Sequence, residues 1–206
     1  MQLALDHVLI GCADLATLMQ WFEQQTGIAP AVGGSHAGFG TRNALVSLGG
    51  DHYIELIALD PAQEISSPLA KSLAKLEHPR AMWWAFRCDD AGRASASLRD
   101  AGLKVREAAM QRGTPAGTLL SWRLVFVDDT PGPVIPFLID WQKSPSPAAT
   151  APGGVSLQNV TPMHPDPPEA QIILDAMRIR ATVLKGPRSG PRLEFSTPKG
   201  KLEVAP

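Results

Sequence analysis

The 206-residue chain lacks an excess of either charge: 19 Lys and Arg stand against 20 Asp and Glu, a net charge of -1. Without a basic field there is nothing to hold nucleic acid or an anionic membrane surface, so neither is expected as a partner. Only two cysteines occur, Cys12 and Cys88, too few for a secreted disulfide framework. Each follows an apolar strand-like run, where free Cys behaves as a small buried hydrophobe. Reduced thiols are expected, with a disulfide joining the two halves as the alternative. No Cys-x-x-Cys is present, which removes zinc-ribbon and thioredoxin-like readings. No apolar run approaches the roughly 18 residues of a membrane span. The opening Met1-Gln2-Leu3-Ala4-Leu5-Asp6-His7 has no basic start and soon meets a charge, so no signal peptide is read and a cytoplasmic location is expected. The Asn159-Val160-Thr161 sequon therefore carries no weight. A Gly-x-Ser-x-Gly elbow and a Rossmann fingerprint after a strand are also missing. The glycine-rich stretch Gly33 to Gly40 is followed by no Lys-Ser or Lys-Thr, so it is not a phosphate loop.

What is present is a repeat. Asp6-His7-Val8-Leu9-Ile10-Gly11-Cys12-Ala13-Asp14 runs into a helical stripe of Leu15, Leu18, Met19 and Phe22 that ends near Gly27. Met82-Trp83-Trp84-Ala85-Phe86-Arg87-Cys88-Asp89-Asp90 runs into a second helix ending at Ala101-Gly102. Overlaying Cys12 on Cys88 and Asp14 on Asp90 sets His7 opposite Trp83. A repeat that keeps its frame while exchanging an ionisable residue for an aromatic one implies a single asymmetric pocket between two halves.

Period two on the first strand puts Leu5, His7 and Leu9 on one face. After the helix, Gly33 to Gly40 reads as a flexible segment feeding a strand at 43–48, then a Gly49-Gly50-Asp51 turn and a strand at 52–59. There Tyr53, Glu55, Ile57 and Leu59 share a face, so Glu55 interrupts an apolar row as His7 does. A helix at 69–76 bridges to the second unit, which has strands at 81–88, near Val105, at 119–127 and at 134–141. Pro133 and Pro136 make the last of these irregular at its start or an edge. Residues 144–154 are rich in Pro, Ser and Gly and read as a linker that does not pack. Beyond it, strands at 155–160, 181–184 and 192–195 with a helix at 168–177 read as a shorter third βαββ unit, spanning 155–206.

Paired βαβββ units at 3–60 and 81–141, with Leu5-Asp6-His7-Val8 on the first strand and Tyr53-Ile54-Glu55-Leu56-Ile57 on the last, resemble the vicinal oxygen chelate superfamily. That superfamily includes glyoxalase I, extradiol dioxygenases and bleomycin-resistance proteins. Gly34 to Leu45 followed by Tyr53 to Ile57 more narrowly resembles its glyoxalase-like domain proteins. The resemblance implies an α+β fold whose two units, within residues 1–143, form a curled mixed sheet around a cleft. It also implies a divalent metal (Zn, Ni, Mn or Fe) chelating two adjacent substrate oxygens, each unit giving ligands from its first and last strands. Here the first unit offers His7 and Glu55, while the second presents Trp83 and Phe137, which carry no ligand atom. His36, His52 and Asp140 are the remaining candidate ligands, and Asp140 has the wrong parity relative to Phe137.

Without a metal, His7 and Glu55 read either as a base and the carboxylate that orients it, or as a buried hydrogen-bonded pair. Glycines on both sides of His36 let it reach the pocket mouth, with an exposed loop histidine as the alternative, and Asn43 reads as lining the pocket or capping a turn. Trp83, Trp122 and Phe137 would form an apolar wall suited to a ring or acyl chain. Arg123 and Arg87 are candidates for holding a carboxylate at that wall. Two functions remain: an enzyme of lyase or isomerase type acting on a small, partly apolar carbonyl or oxygenated metabolite, or a binding protein that sequesters such a molecule. The ligand is a small molecule in both. Intrachain pairing of the units followed by homodimerisation is the expected assembly.

Overall fold

The computed structural model describes residues 2–113 and 117–206. The first unit comprises β1 (Ala4–Gly11), α1 (Leu15–Thr26), β2 (Ala31–His36), β3 (Thr41–Gly49) and β4 (His52–Leu59). After the short α2 (Pro68–Leu73), the second unit repeats the order as β5 (Arg80–Arg87), α3 (Ala91–Asp100), β6 (Val105–Gly113), β7 (Leu119–Val127) and β8 (Phe137–Asp140). The helix starts follow from local chemistry, because Asp14 accepts from the Thr17 amide at 2.7 Å and Asp90 from that of Arg93 at 2.8 Å. Gly27, at φ 79°, ends α1 in the left-handed conformation that suits glycine.

Eight strands make one mixed sheet in the order β2-β3-β4-β1-β5-β8-β7-β6. In each unit the first strand lies parallel to the last, β1 with β4 and β5 with β8, and the antiparallel pair β1–β5 joins the units. The two halves are thus related about the β1–β5 seam, as the repeat implies. The sheet curls into a half-barrel, and its edges approach each other where a Cβ on Gly34 of β2 would lie 2.8 Å from the Gly113 carbonyl oxygen of β6. Alternation then assigns the faces. Val8, Ile10, Ile54, Leu56 and Trp84 pack outward under α1 and α3, while His7, Leu9, Tyr53, Glu55 and Ile57 face the hollow. Cys12 and Cys88 are both buried free thiols, and burial pushes that of Cys88 up to about 12.

Three stretches differ from expectation. The glycine-rich segment is not loose, because Ala31–His36 forms the edge strand β2, paired with β3 across a bulge near Val32–Gly34. Pairing overrides the weak strand propensity of glycine, and the near approach of β6 leaves no room for a side chain at Gly34. Residues 144–154 pack rather than dangle. A 3-10 turn at Pro147–Ala149 buries Pro147 and Ala148, the Ser47 amide donates to the Pro152 carbonyl at 2.8 Å, and the Ser146 hydroxyl donates to the Asp51 carbonyl at 3.1 Å.

The third segment forms β9 (Ser156–His164), α4 (Pro167–Ala176), β10 (Leu184–Lys185), β11 (Gly190–Thr197) and β12 (Gly200–Val204). It has a small sheet of its own, ordered β10-β9-β11-β12. Its first strand therefore lies between its second and third, unlike the first strands of the other units, and β12 closes a hairpin that the sequence reading missed. Leu174, Met177 and Phe195 join Ile10, Leu18, Phe22 and Trp84 in one buried cluster on the outer face of the large sheet. Among the described residues no helix is long and apolar enough to cross a membrane.

Candidate active site

The concave face encloses a cavity of about 200 Å³. Its polar end is built by the first unit: His7 on β1, His36 on β2, Asn43 on β3, and Tyr53 and Glu55 on β4. Its apolar wall comes from the second unit, with Trp83 on β5, Met110 on β6, Trp122, Leu124 and Phe126 on β7, and Phe137 on β8. Residues 67–69 and Phe39 complete the lining on the side of α2.

His7 is fixed from several sides. Its ring stacks on Tyr53 with centroids 4.6 Å apart and meets Phe137 edge-on at 5.5 Å. Its Nδ1 lies 2.7 Å from Asp6 Oδ1. Asp6 is fully buried, yet it also accepts from Arg87 Nε at 2.8 Å and from Trp141 Nε1 at 3.1 Å. Burial pushes the Asp6 carboxyl up, but the opposing bonds and charges of His7 and Arg87 outweigh it and hold the group below the usual carboxylate range. An ionised Asp6 can only accept, so Nδ1 carries the hydrogen and Nε2 turns toward Glu55, whose Oε2 is 3.6 Å away. The carboxylate that orients His7 is therefore Asp6 and not Glu55. Strict alternation sends Asp6 to the opposite face from His7, but a shift in the β1–β5 register between Leu5 and His7 breaks it. The same irregularity sends Leu5 to the outer core, away from His7 and Leu9.

Asn43 organises the other polar groups. Its Oδ1 accepts from the Gly34 amide at 3.1 Å, so its Nδ2 faces Glu55 Oε1 at 2.7 Å and His36 Nε2 at 3.2 Å. His36 Nε2 must then accept, which leaves Nδ1 to donate to Thr41 Oγ1 at 2.9 Å. Burial holds the His36 pKa below its ordinary value, in keeping with this neutral tautomer. Burial also raises the Tyr53 phenol well above its ordinary range, so its hydroxyl stays protonated.

Seven of the eight residues singled out from the sequence line this cavity: His7, His36, Asn43, Glu55, Trp83, Trp122 and Phe137. Arg123 does not. It alternates with Trp122 on β7, faces away and pairs with Glu107 of β6. Arg87 serves Asp6 and Asp51 instead of the aromatic wall. His52 donates toward the Leu5 carbonyl outside the cavity, and Asp140 accepts from the Ala91 and Gln142 amides. Sequence reasoning missed Asp6, Trp141, Arg106 and Arg112. The two arginines share a face of β6 with Ala108 and Met110, a period-two signal too faint to read in so mixed a segment.

The donors present do not fit a chelated divalent metal. His7 Nε2 and Glu55 make two ligands, the lone pair of His36 Nε2 is engaged by Asn43, and the second unit adds only Trp83 and Phe137. A catalytic metal ordinarily takes three protein ligands. Among the described residues no group of three His, Cys, Asp or Glu is placed to hold one.

No curated protein matches the chain in sequence. In structure it is similar to a hypothetical protein from Staphylococcus aureus, with a TM-score of 0.70 at 16% identity, over 100% of this chain and 86% of that one. At that identity the likeness is one of fold, and it takes in the third segment. The methylmalonyl-CoA epimerase of Mycobacterium tuberculosis aligns with 71% of this chain and 91% of its own, at 27% identity and a TM-score of 0.51. A Streptomyces coelicolor methylmalonyl-CoA epimerase in complex with 2-nitronate-propionyl-CoA aligns with 70% and 98%, at 24% identity and a TM-score of 0.51. The sequence profile of the Glyoxalase-like domain matches residues 5–177, from β1 through both units and α4. A profile that spans both halves of the cavity, on a sheet of paired βαβββ units, means that the chain belongs to the glyoxalase-like domain family of the vicinal oxygen chelate superfamily.

Proposed function

We propose that this protein is an enzyme that moves a proton at a carbon beside a carbonyl, acting on a small, partly apolar metabolite. The observation that carries this reading is the Asp6–His7 hydrogen bond, which commits Nδ1 to Asp6 and leaves the Nε2 lone pair facing the cavity beside Glu55. A substrate with its carbonyl-bearing carbon at this end loses a C–H proton to Nε2, and the electron pair moves onto the carbonyl oxygen as an enolate. Glu55, 3.6 Å from Nε2, stabilises the resulting imidazolium, and the protonated Tyr53 hydroxyl is an available donor to the enolate. Returning the proton to the same or the opposite face gives exchange or inversion. The methylmalonyl-CoA epimerases that share the two-unit fold support this reaction class. With only two donors at hand, no step is assigned to a metal.

Proton NMR in D2O tests the reading through the α-hydrogens of phenylpyruvate, 2-oxobutyrate and a methylmalonyl thioester. The protein is expected to speed their exchange, and His7→Gln to slow it about 100-fold or more, the usual contribution of a positioned base. Exchange by His7→Gln at the native rate would end the proposal. The aromatic wall of Trp83, Trp122 and Phe137 favours a second reading, sequestration without turnover. Saturable quenching of tryptophan fluorescence by compounds whose hydrogens do not exchange would select it.

A further inference from the structure

Arg112 lies at the cavity end of β6 and is 6% exposed. Among the described residues no carboxylate oxygen comes within 4.0 Å of its guanidinium, and none accepts a hydrogen bond from it. Arg106, the other arginine of the cavity lining, is matched by Asp128, and elsewhere in the sheet Arg87 is matched by Asp6 and Asp51 and Arg123 by Glu107. Arg42 and Arg80 form no ion pair among the described residues either, but they do not line the cavity. The Arg112 nitrogens are not among the fully buried, unpartnered side-chain atoms of the described residues, so the charge keeps an opening into the cavity it lines, where a ligand anion can meet it away from bulk water. Among the described residues no anion is supplied to it, for Glu55 is the one carboxylate of the described lining and it is engaged by Asn43 and faces His7.

The backbone is shaped to admit the guanidinium. Its Nη1 would lie 3.2 Å from a Cβ on Gly34, so the glycine leaves open the space beside β2 that the group enters. Gly34 and His36 are alternate residues of the same strand, and His36 Nε2 is 3.6 Å from Glu55 Oε1. The unmatched cation and the proton-transfer pair are therefore neighbours at one end of the cavity, and the aromatic wall faces them. A cavity of about 200 Å³ compares with the roughly 150 Å³ that suffices to bind benzene. One ring or a short acyl chain with a small anionic head fills it.

We propose that Arg112 is the carboxylate receptor of this cavity, and that the ligand is a small carboxylic acid with an aryl or short alkyl tail. The guanidinium presents paired N–H donors to the two carboxylate oxygens, while the tail lies on Trp83, Trp122 and Phe137. This rests on the cavity being the working site and adds the charge and shape of what enters it.

The test compares calorimetric binding of phenylacetate with that of its uncharged isostere phenylacetamide. The native protein is expected to bind the acid about tenfold or more tightly, as charge-assisted hydrogen bonds imply. Arg112→Gln should abolish that preference and leave amide binding in place, which also shows that the cavity has formed. Arg112→Lys should keep part of it, and Arg123→Gln, on the outer face, all of it. Acid no tighter than amide in the native protein, including binding of neither, overturns the proposal, as does a preference that survives Arg112→Gln. Should Arg112→Gln fail to fold, an acid-to-amide ratio unchanged in Arg112→Lys overturns it equally. Because binding is read and not turnover, an acid held through Arg112 without proton exchange would remove the catalysis and leave this site standing, and exchange without acid preference would do the reverse.

Discussion

His36 is held neutral inside the cavity wall, and its environment makes stability depend on pH. Burial lowers its pKa, Glu55 and Asp60 oppose that shift, and Arg112 and His7 reinforce it. In the unfolded chain the same imidazole titrates near about 6.5. Below that value the unfolded chain takes up a proton that the folded chain refuses, so the contribution of His36 is complete above about pH 6.5 and is lost as pH falls toward the lower folded value. The Asp6 carboxyl, held below its ordinary range, loses its contribution only in a separate window below about pH 4. Urea midpoints measured between about pH 7.5 and 5 should therefore decline, and His36→Gln should flatten the decline. An equal decline in the variant would show that His36 is not its source. At this scale, residues on regular strands were legible: period two brings His7, Glu55 and Trp83 to one cavity from sequence alone. Asp6 was not, since a register shift that no pattern announces turns it inward beside His7. Arg123 was misplaced for the opposite reason, because plain alternation holds there and separates it from Trp122.

Among the elements, β2 and β6 decide whether the cavity has an end. They are the outermost strands of an eight-stranded sheet, and they meet only because the sheet curls. Gly34 is the contact, with the Gly113 carbonyl 2.8 Å from where its Cβ would be. A side chain there must push the edges apart or displace Arg112. Gly34→Val is expected to cost about 1–3 kcal/mol, the usual range for overpacking. It should also weaken phenylacetate binding through Arg112 more than phenylacetamide binding, as calorimetry would show. A variant as stable as the native protein would mean that the edges do not touch. The strands at 52–59, 81–88 and 119–127 were legible because apolar alternation is strong in them. Strand β2 was not, since its Gly33-Gly34-Ser35 core has neither propensity nor pattern, and only the partner strand and the curl make it extended.

For the whole molecule, the question is whether the third segment is an independent body or part of one core. Its elements were legible in outline, but strand pairing was not, because order in a sheet is set by long-range contacts that spacing does not encode. The small sheet stands against the outer face of the large one. Phe195 of β11 and Met177 after α4 are fully buried with Phe22 of α1 and Trp84 of β5, and the Ala81 amide donates to the Ala205 carbonyl at 3.0 Å. Such a shared interior predicts a single cooperative transition. All five tryptophans, at positions 21, 83, 84, 122 and 141, lie before the third segment in sequence, so their fluorescence follows the two-unit sheet, with Trp84 and Trp21 also at the face on which the third segment packs. Phe195→Ala removes a fully buried ring from the small sheet and should cost about 3–5 kcal/mol. If the core is one, urea unfolding followed by tryptophan fluorescence and by far-UV circular dichroism will coincide in the native protein. Both curves will then move together in Phe195→Ala, although the third segment itself carries no tryptophan. A fluorescence midpoint that stays in place while the dichroism curve splits would make the small sheet a separate unit. The outer face of the cavity's sheet would then owe it nothing.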